Sequence, residues 1–176
     1  MATVTTVFVA YAATGCSAGT DLAGQHSDGR ASGVDSPGRG GPLTPFDVDR
    51  PAIARLDAGL LRAVQAAARD AEDDGIAFVV TSGWRSRAHQ ERLFAEAVTT
   101  YGSVQEASRF VAAPDASAHV TGHAVDIGPT DADSWLSQHG ARYGLCQTFA
   151  NEMWHFELAA TPGGVCPVML PDGSSR

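Results

Sequence analysis

The chain has 176 residues, 44% of them hydrophobic and 18% charged, which suits one domain with a core of its own plus polar extensions. Its 12 basic against 20 acidic residues leave a net charge of -8. That balance excludes the cationic face that nucleic acid requires and a polybasic anchor for anionic lipid. Every basic residue is an arginine, a bias that fits a GC-rich, actinobacterial genome.

Residues 4–13 form an apolar run too short to span a bilayer but of the right length for the core of a signal peptide. The run ends in Ala13-Thr14-Gly15-Cys16, which has the form of a bacterial lipobox, where the cysteine is lipidated. Alanine stands where leucine is usual, and no basic residue precedes the run. Ala10-Tyr11-Ala12 offers an ordinary signal-peptidase site instead. By either route residues 1–16 are an export signal, and any membrane attachment is through a lipid at Cys16. With Cys16 set aside, Cys146 and Cys166 remain as a pair, and in an oxidising compartment they are expected to form a disulfide.

Residues 17–45, rich in Gly, Ser, Asp and Pro, read as a flexible linker in which His26 is solvated. The folded domain is expected over residues 46–176. Leu56, Leu60, Leu61, Val64, Ala67, Ala68 and Ala71 recur at helical spacing and predict a helix over 56–73, stopped at Gly75. Residues 76–81 are a β-branched and aromatic run, a strand leading into Ser82-Gly83-Trp84-Arg85-Ser86. A second helix follows over 87–101. Ser103 and Glu106 form a capping box for a third, to about residue 111. The His119 segment reads as loop and then strand, with Asp126 facing away from Val125 and Ile127. Asp131 or Asp133 is expected to cap a helix to His139, and a last strand covers 154–158. Helices first and ligand-bearing strands afterwards describe an α+β domain: a small antiparallel sheet packed against N-terminal helices.

Two segments carry chemistry. His119, Asp126 and His155 supply two imidazoles and a carboxylate, the kind of set that holds a catalytic zinc and leaves a position open for water. Glu152 stands three residues before the last of them, outside the ligand set and available as a base. Alternation after Met153 places His155 and Glu157 on one face and Trp154 and Phe156 on the other. Gly122 and Ala124 are expected to keep the approach to the metal narrow. A rival pair, His119 and His123, would need a helical turn that Gly122 interrupts, and no glutamate follows His119; His123 is therefore assigned to the pocket edge or surface. His89 and His139 are assigned to helix faces.

Ser82-Gly83-Trp84-Arg85-Ser86 with Gln90, Ser117-x-His119-x-x-Gly122-x-Ala124-x-Asp126, and Glu152-x-Trp154-His155-x-Glu157 resemble the motif set of the VanY-type zinc D-alanyl-D-alanine carboxypeptidases. These belong to a wider group with lysostaphin-type peptidases and the hedgehog domain. The resemblance runs from about Leu56 to Cys166; Trp84, His123 and Met153 depart from the usual residues at non-catalytic positions. It implies a Zn2+ cofactor, Glu152 as general base and then acid, and Arg85 stabilising the oxyanion. Ser117, Gln90 and Trp154 would contact the peptide, and Glu157 would orient a ligand histidine.

The substrate implied is the terminal D-Ala of a peptidoglycan stem pentapeptide, with a role in wall trimming and glycopeptide resistance. The partner is then a wall peptide or its precursor, met outside the cytoplasm by a monomer. A VanX-like dipeptidase acting on free D-Ala-D-Ala keeps the chemistry and changes the substrate, as does a phage-type endopeptidase. A non-catalytic peptidoglycan-binding module would need neither Glu152 nor Arg85.

Overall fold

The computed structural model describes residues 41–176. The export signal, Cys16, His26 and most of the predicted linker lie outside those residues. At the end of that linker, Leu43 and Pro45 pack onto the domain: Pro45 is fully buried, and the Leu43 carbonyl accepts the Val80 N–H at 2.7 Å.

A single turn, α1 (Pro51–Ala54), precedes the principal helix α2 (Ala58–Asp73). Helix α2 starts two residues later than its apolar spacing predicts because Asp57 caps it, accepting the Gly59 and Leu60 N–H groups at 2.8 and 3.0 Å. Leu60, Val64, Ala67, Ala68 and Ala71 are the buried stripe, and Gly75 in the left-handed region ends it as expected. Strand β1 (Val79–Ser82) is shorter and later than the run at 76–81, whose Phe78 is buried in the core. Helix α3 (Arg87–Tyr101) has the predicted bounds, with Ser86 as cap and Gly102 as left-handed stop.

Ser103 caps α4 through the Glu106 N–H as predicted, but α4 is one turn, Val104–Ala107. The Ser108 hydroxyl bonds back to the Val104 carbonyl at 2.8 Å, and the chain then turns so that Phe110 stacks on Tyr101 with ring centroids 4.5 Å apart.

After α5 (Ala118–Thr121) come β2 (Ala124–Gly128) and α6 (Thr130–His139). Neither Asp131 nor Asp133 caps α6. The helix starts one residue ahead of Asp131, directly after β2, which leaves both in its first turn. A 3-10 turn, Gly140–Tyr143, then leads to β3 (Leu145–Gln147), and β4 (His155–Leu158) closes the sheet. All neighbours are antiparallel, in the order β1-β2-β4-β3.

The predicted α+β architecture is the one observed. Val80, Val125, Ile127, Leu145 and Phe156 on one sheet face join Leu60, Val64, Ala67, Trp135 and Leu136 from α2 and α6 in one core. The alternate residues of β2 and β4 face the other way. Cys146 on β3 is disulfide-bonded to Cys166. Among the described residues, no helix is long and apolar enough to cross a membrane.

Candidate metal centre

The register of the two central strands builds the site. Asp126 on β2 is the direct partner of His155 on β4, so both side chains leave the same face side by side. His119 enters from a different kind of element. Instead of the predicted loop, residues 118–121 make one helical turn, ended by Gly122 at φ 77°. A side chain on Gly122 would run into the Arg55 carbonyl, so this glycine seats the turn against the end of α1 rather than narrowing an approach to metal. His123, past the interruption, is exposed and bonds the Thr121 hydroxyl.

Three atoms meet. His155 Nδ1 lies 3.1 Å from Asp126 Oδ1, His119 Nε2 lies 3.3 Å from the same oxygen, and the two nitrogens are 3.3 Å apart. A tetrahedral zinc with bonds of about 2.0–2.1 Å separates its ligand atoms by about 3.3 Å, so the triangle has the size that ion requires. The outer hydrogen bonds set the ring tautomers to match. His119 Nδ1 faces the Gly83 carbonyl at 2.8 Å, and that oxygen can only accept. His155 Nε2 faces Glu157 Oε1 at 2.9 Å. With each outer nitrogen donating, the inner nitrogen of each neutral ring presents a lone pair. Gly83 is held as tightly as the histidine it supports, because a Cβ there would strike the Ala52 carbonyl oxygen.

The surrounding charges answer to burial and to each other. Burial alone would raise the Asp126 carboxyl, but hydrogen bonds from both imidazoles hold it far below the usual carboxylate range. Burial lowers His119. It would lower His155 as well, yet bonds to Asp126 and Glu157 outweigh it and raise that imidazole to about 9. A proton on Nδ1 thus takes the place of a cation in the metal-free protein. Glu157 is drawn down to about 2: burial opposes ionisation, while bonds from His155 and Arg176 favour it.

Glu152 stands in the turn before β4, its Oε2 3.7 Å from His155 Nδ1, beside the triangle and outside it. Burial pushes its carboxyl up, with His155 pulling it back. Arg85 places Nη2 2.8 Å from Asp126 Oδ2, the oxygen turned away from the triangle. Its Nε bonds Ser82 at 2.7 Å, and a β-bulge sets Ser82 opposite Asp126.

Gln90 lines the cavity while almost wholly buried. Its amide donates to the Ala112 carbonyl at 2.8 Å, and its oxygen accepts from Arg85 Nη1 at 3.3 Å, so it steadies the arginine. The Ser117 hydroxyl is buried in the wall with no protein partner. Trp154 leaves the face of Phe156, which is in the core, and lines the opening while 43% exposed. His89 and His139 sit on α3 and α6, His139 with its ring against Trp135. The cavity between these groups measures about 240 Å³, room for the end of a peptide. Three contributors carried no distinct signal in sequence: the Gly83 carbonyl, Ser82, and Arg176, which pairs with Glu157 at 2.7 Å.

A family model, VanY: D-alanyl-D-alanine carboxypeptidase, matches residues 53–161. The chain belongs to the VanY family. The matched stretch contains His119, Asp126, Glu152, His155 and Arg85. A curated D-alanyl-D-alanine carboxypeptidase of Enterococcus faecalis is 31% identical over 111 residues, 49% of this chain and 41% of that one. The chain therefore spans less than half the length of that relative. A mutant of the vancomycin-resistance D,D-pentapeptidase VanY, solved in complex with Zn(II), is 25% identical with a TM-score of 0.54, over 62% of this chain and 73% of the other. VanYB in complex with D-alanine-D-alanine is 25% identical with a TM-score of 0.54, over 58% and 70%. Family membership accords with the motif resemblance and with the α+β fold.

Proposed function

We propose that this VanY-family chain is a zinc-dependent D,D-carboxypeptidase that removes the terminal D-Ala from peptidoglycan stem pentapeptides. The observation that carries the reading is the triangle of inward lone-pair atoms, 3.1–3.3 Å on a side, with the Glu152 carboxylate beside it and outside it. His119, Asp126 and His155 would hold the ion. Zinc bound there lowers the pKa of a coordinated water to about 7 and polarises the scissile carbonyl.

The chain's own groups do the rest. Glu152 accepts the proton of the attacking water and delivers it to the amine of the leaving D-Ala, so one water is consumed and a tetrapeptide and D-Ala are released. The raised affinity of Glu152 for protons suits that exchange. Arg85 locks the outer oxygen of Asp126 and adds a fixed positive charge where the carbonyl oxygen becomes negative. Ser117 offers its unpartnered hydroxyl to the peptide, and Trp154 stacks along it at the opening.

The protein acts as a monomer outside the cytoplasm, in wall trimming and glycopeptide resistance. The segment before residue 41 serves as export signal and linker, cleaved either after Ala10-Tyr11-Ala12 or before Cys16, with any membrane attachment through a lipid at Cys16. The Cys146–Cys166 disulfide supports an oxidising compartment.

Mass spectrometry of the products from UDP-linked pentapeptide and from free D-Ala-D-Ala, with wild type and Glu152→Ala, tests the activity. Loss of one alanine from the pentapeptide, abolished by the substitution, is the expected result. Turnover of the dipeptide alone would reassign the chain as a dipeptidase. Binding without turnover by the zinc-loaded protein would make it a wall-binding module.

A further inference from the structure

The family match ends at residue 161, yet the chain beyond it forms part of the site wall, Gly173 and Arg176 both lining the cavity. This strap, residues 162–176, is fastened along its length. Cys166 is bonded to Cys146 on β3. The Leu170 N–H donates to the Thr148 carbonyl at 2.9 Å, and its carbonyl accepts the Ala150 N–H at 2.8 Å. Asp172 pairs with Arg109 at 3.0 Å.

These fastenings deliver Arg176 to Glu157, with Nη2 2.7 Å from Oε2 and the guanidinium over the Phe149 ring at 5.3 Å. The other oxygen of that carboxylate is the one on His155 Nε2.

The two ligand histidines are therefore oriented by different means. His119 leans on the Gly83 backbone carbonyl, which cannot rotate away. His155 leans on a glutamate side chain whose rotamer is free unless its far oxygen is held. We infer that Arg176 is a positioning residue for the metal centre: it locks Glu157 onto His155 Nε2 and thereby keeps His155 Nδ1 turned into the ligand triangle. The inference rests on the metal-site reading above and extends the working site into a strap that the family match does not include.

Zn2+ affinity, measured by competition with a chelating dye, tests it in wild type, Arg176→Gln, Arg176→Lys, Glu157→Ala and the Arg176→Gln/Glu157→Ala double variant. Arg176→Gln is expected to weaken binding about tenfold, at the low end of what losing an outer partner of a ligand costs. Arg176→Lys should recover part of the loss, since it restores the charge without the planar fork. In the Glu157→Ala background Arg176→Gln should have no further effect, because the two act as one chain. Equal affinity in wild type and Arg176→Gln, or an undiminished loss in the Glu157→Ala background, overturns the role.

A metal-free readout separates this inference from the zinc reading. The Nε2–H proton of His155 should appear downfield by NMR in the wild type and vanish or broaden in Arg176→Gln. If the wild type takes up no Zn2+, the zinc reading fails, and this comparison alone decides: a resonance unchanged in Arg176→Gln overturns the positioning role.

Discussion

Asp126 and His155 are direct cross-strand partners, and Asp126 Oδ1 lies 3.1 Å from His155 Nδ1. The contact is at once a piece of β-sheet pairing and one edge of the ligand triangle. A one-residue slip of β4 against β2 would turn His155 into the core and Phe156 out of it, so the register that fills the core also assembles the site.

Glu152→Gln keeps the shape of the side chain and removes its capacity to take a proton. Because Glu152 lies outside the triangle, Zn2+ stoichiometry by elemental analysis should stay at the wild-type level. The turnover number on pentapeptide should fall about 10²–10⁴-fold. Loss of the metal along with activity would place Glu152 among the ligands instead.

Ser117→Ala separates binding from folding. The hydroxyl is buried without a partner, so removing it should leave the melting temperature unchanged or slightly raised. KM for the pentapeptide should rise about fivefold, the value of about 1 kcal/mol for a hydrogen bond to a neutral group. A lowered melting temperature with unchanged KM would make Ser117 a structural residue.

The metal-free protein should lose stability as the solution becomes alkaline. His155 is raised from 6.5 to about 9 on folding, so the folded state holds the proton more tightly than the unfolded state. Its contribution is complete below about pH 6.5 and disappears as pH rises through about 9, a loss of about 3 kcal/mol. Denaturant unfolding with chelator present, at pH 6.5 and pH 9.5, measures this. With Zn2+ bound the loss is cancelled over the same range, because binding displaces that proton and tightens by as much as the metal-free fold weakens.

Reduction of Cys146–Cys166 opens a closed loop with a sequence separation of 20. Loop-closure entropy assigns that a cost of about 3 kcal/mol in the chain-entropy model. Urea unfolding of the Cys146→Ser/Cys166→Ser variant against wild type should show a free-energy shift of that size. A shift of a few tenths would mean that the strap's hydrogen bonds hold it without the covalent link.

The long elements were legible in the sequence because they repeat a period. Helix α2 shows its stripe at 3.6-residue spacing, and α3 has a serine cap and a glycine stop. The ligands were legible because their chemistry is rare at that spacing. What escaped was short or non-local. The single turn at Ala118–Thr121 has too few residues to show a period, and β3 offers three. Gln90 belongs to the motif and lines the cavity, but its bond to the Ala112 carbonyl, 22 residues away, follows from no local pattern. Arg176 has no local pattern at all; only the path of the strap brings it to Glu157.

In the order β1-β2-β4-β3, both strands that carry ligands are interior, while the edges bear none. Fraying begins at edges, so the amides around Asp126 and His155 belong to the last part of the sheet to open. Asp126 and His155 would thus keep their spacing after an ion has left through the cavity, so the emptied site would refill without the sheet having to form again.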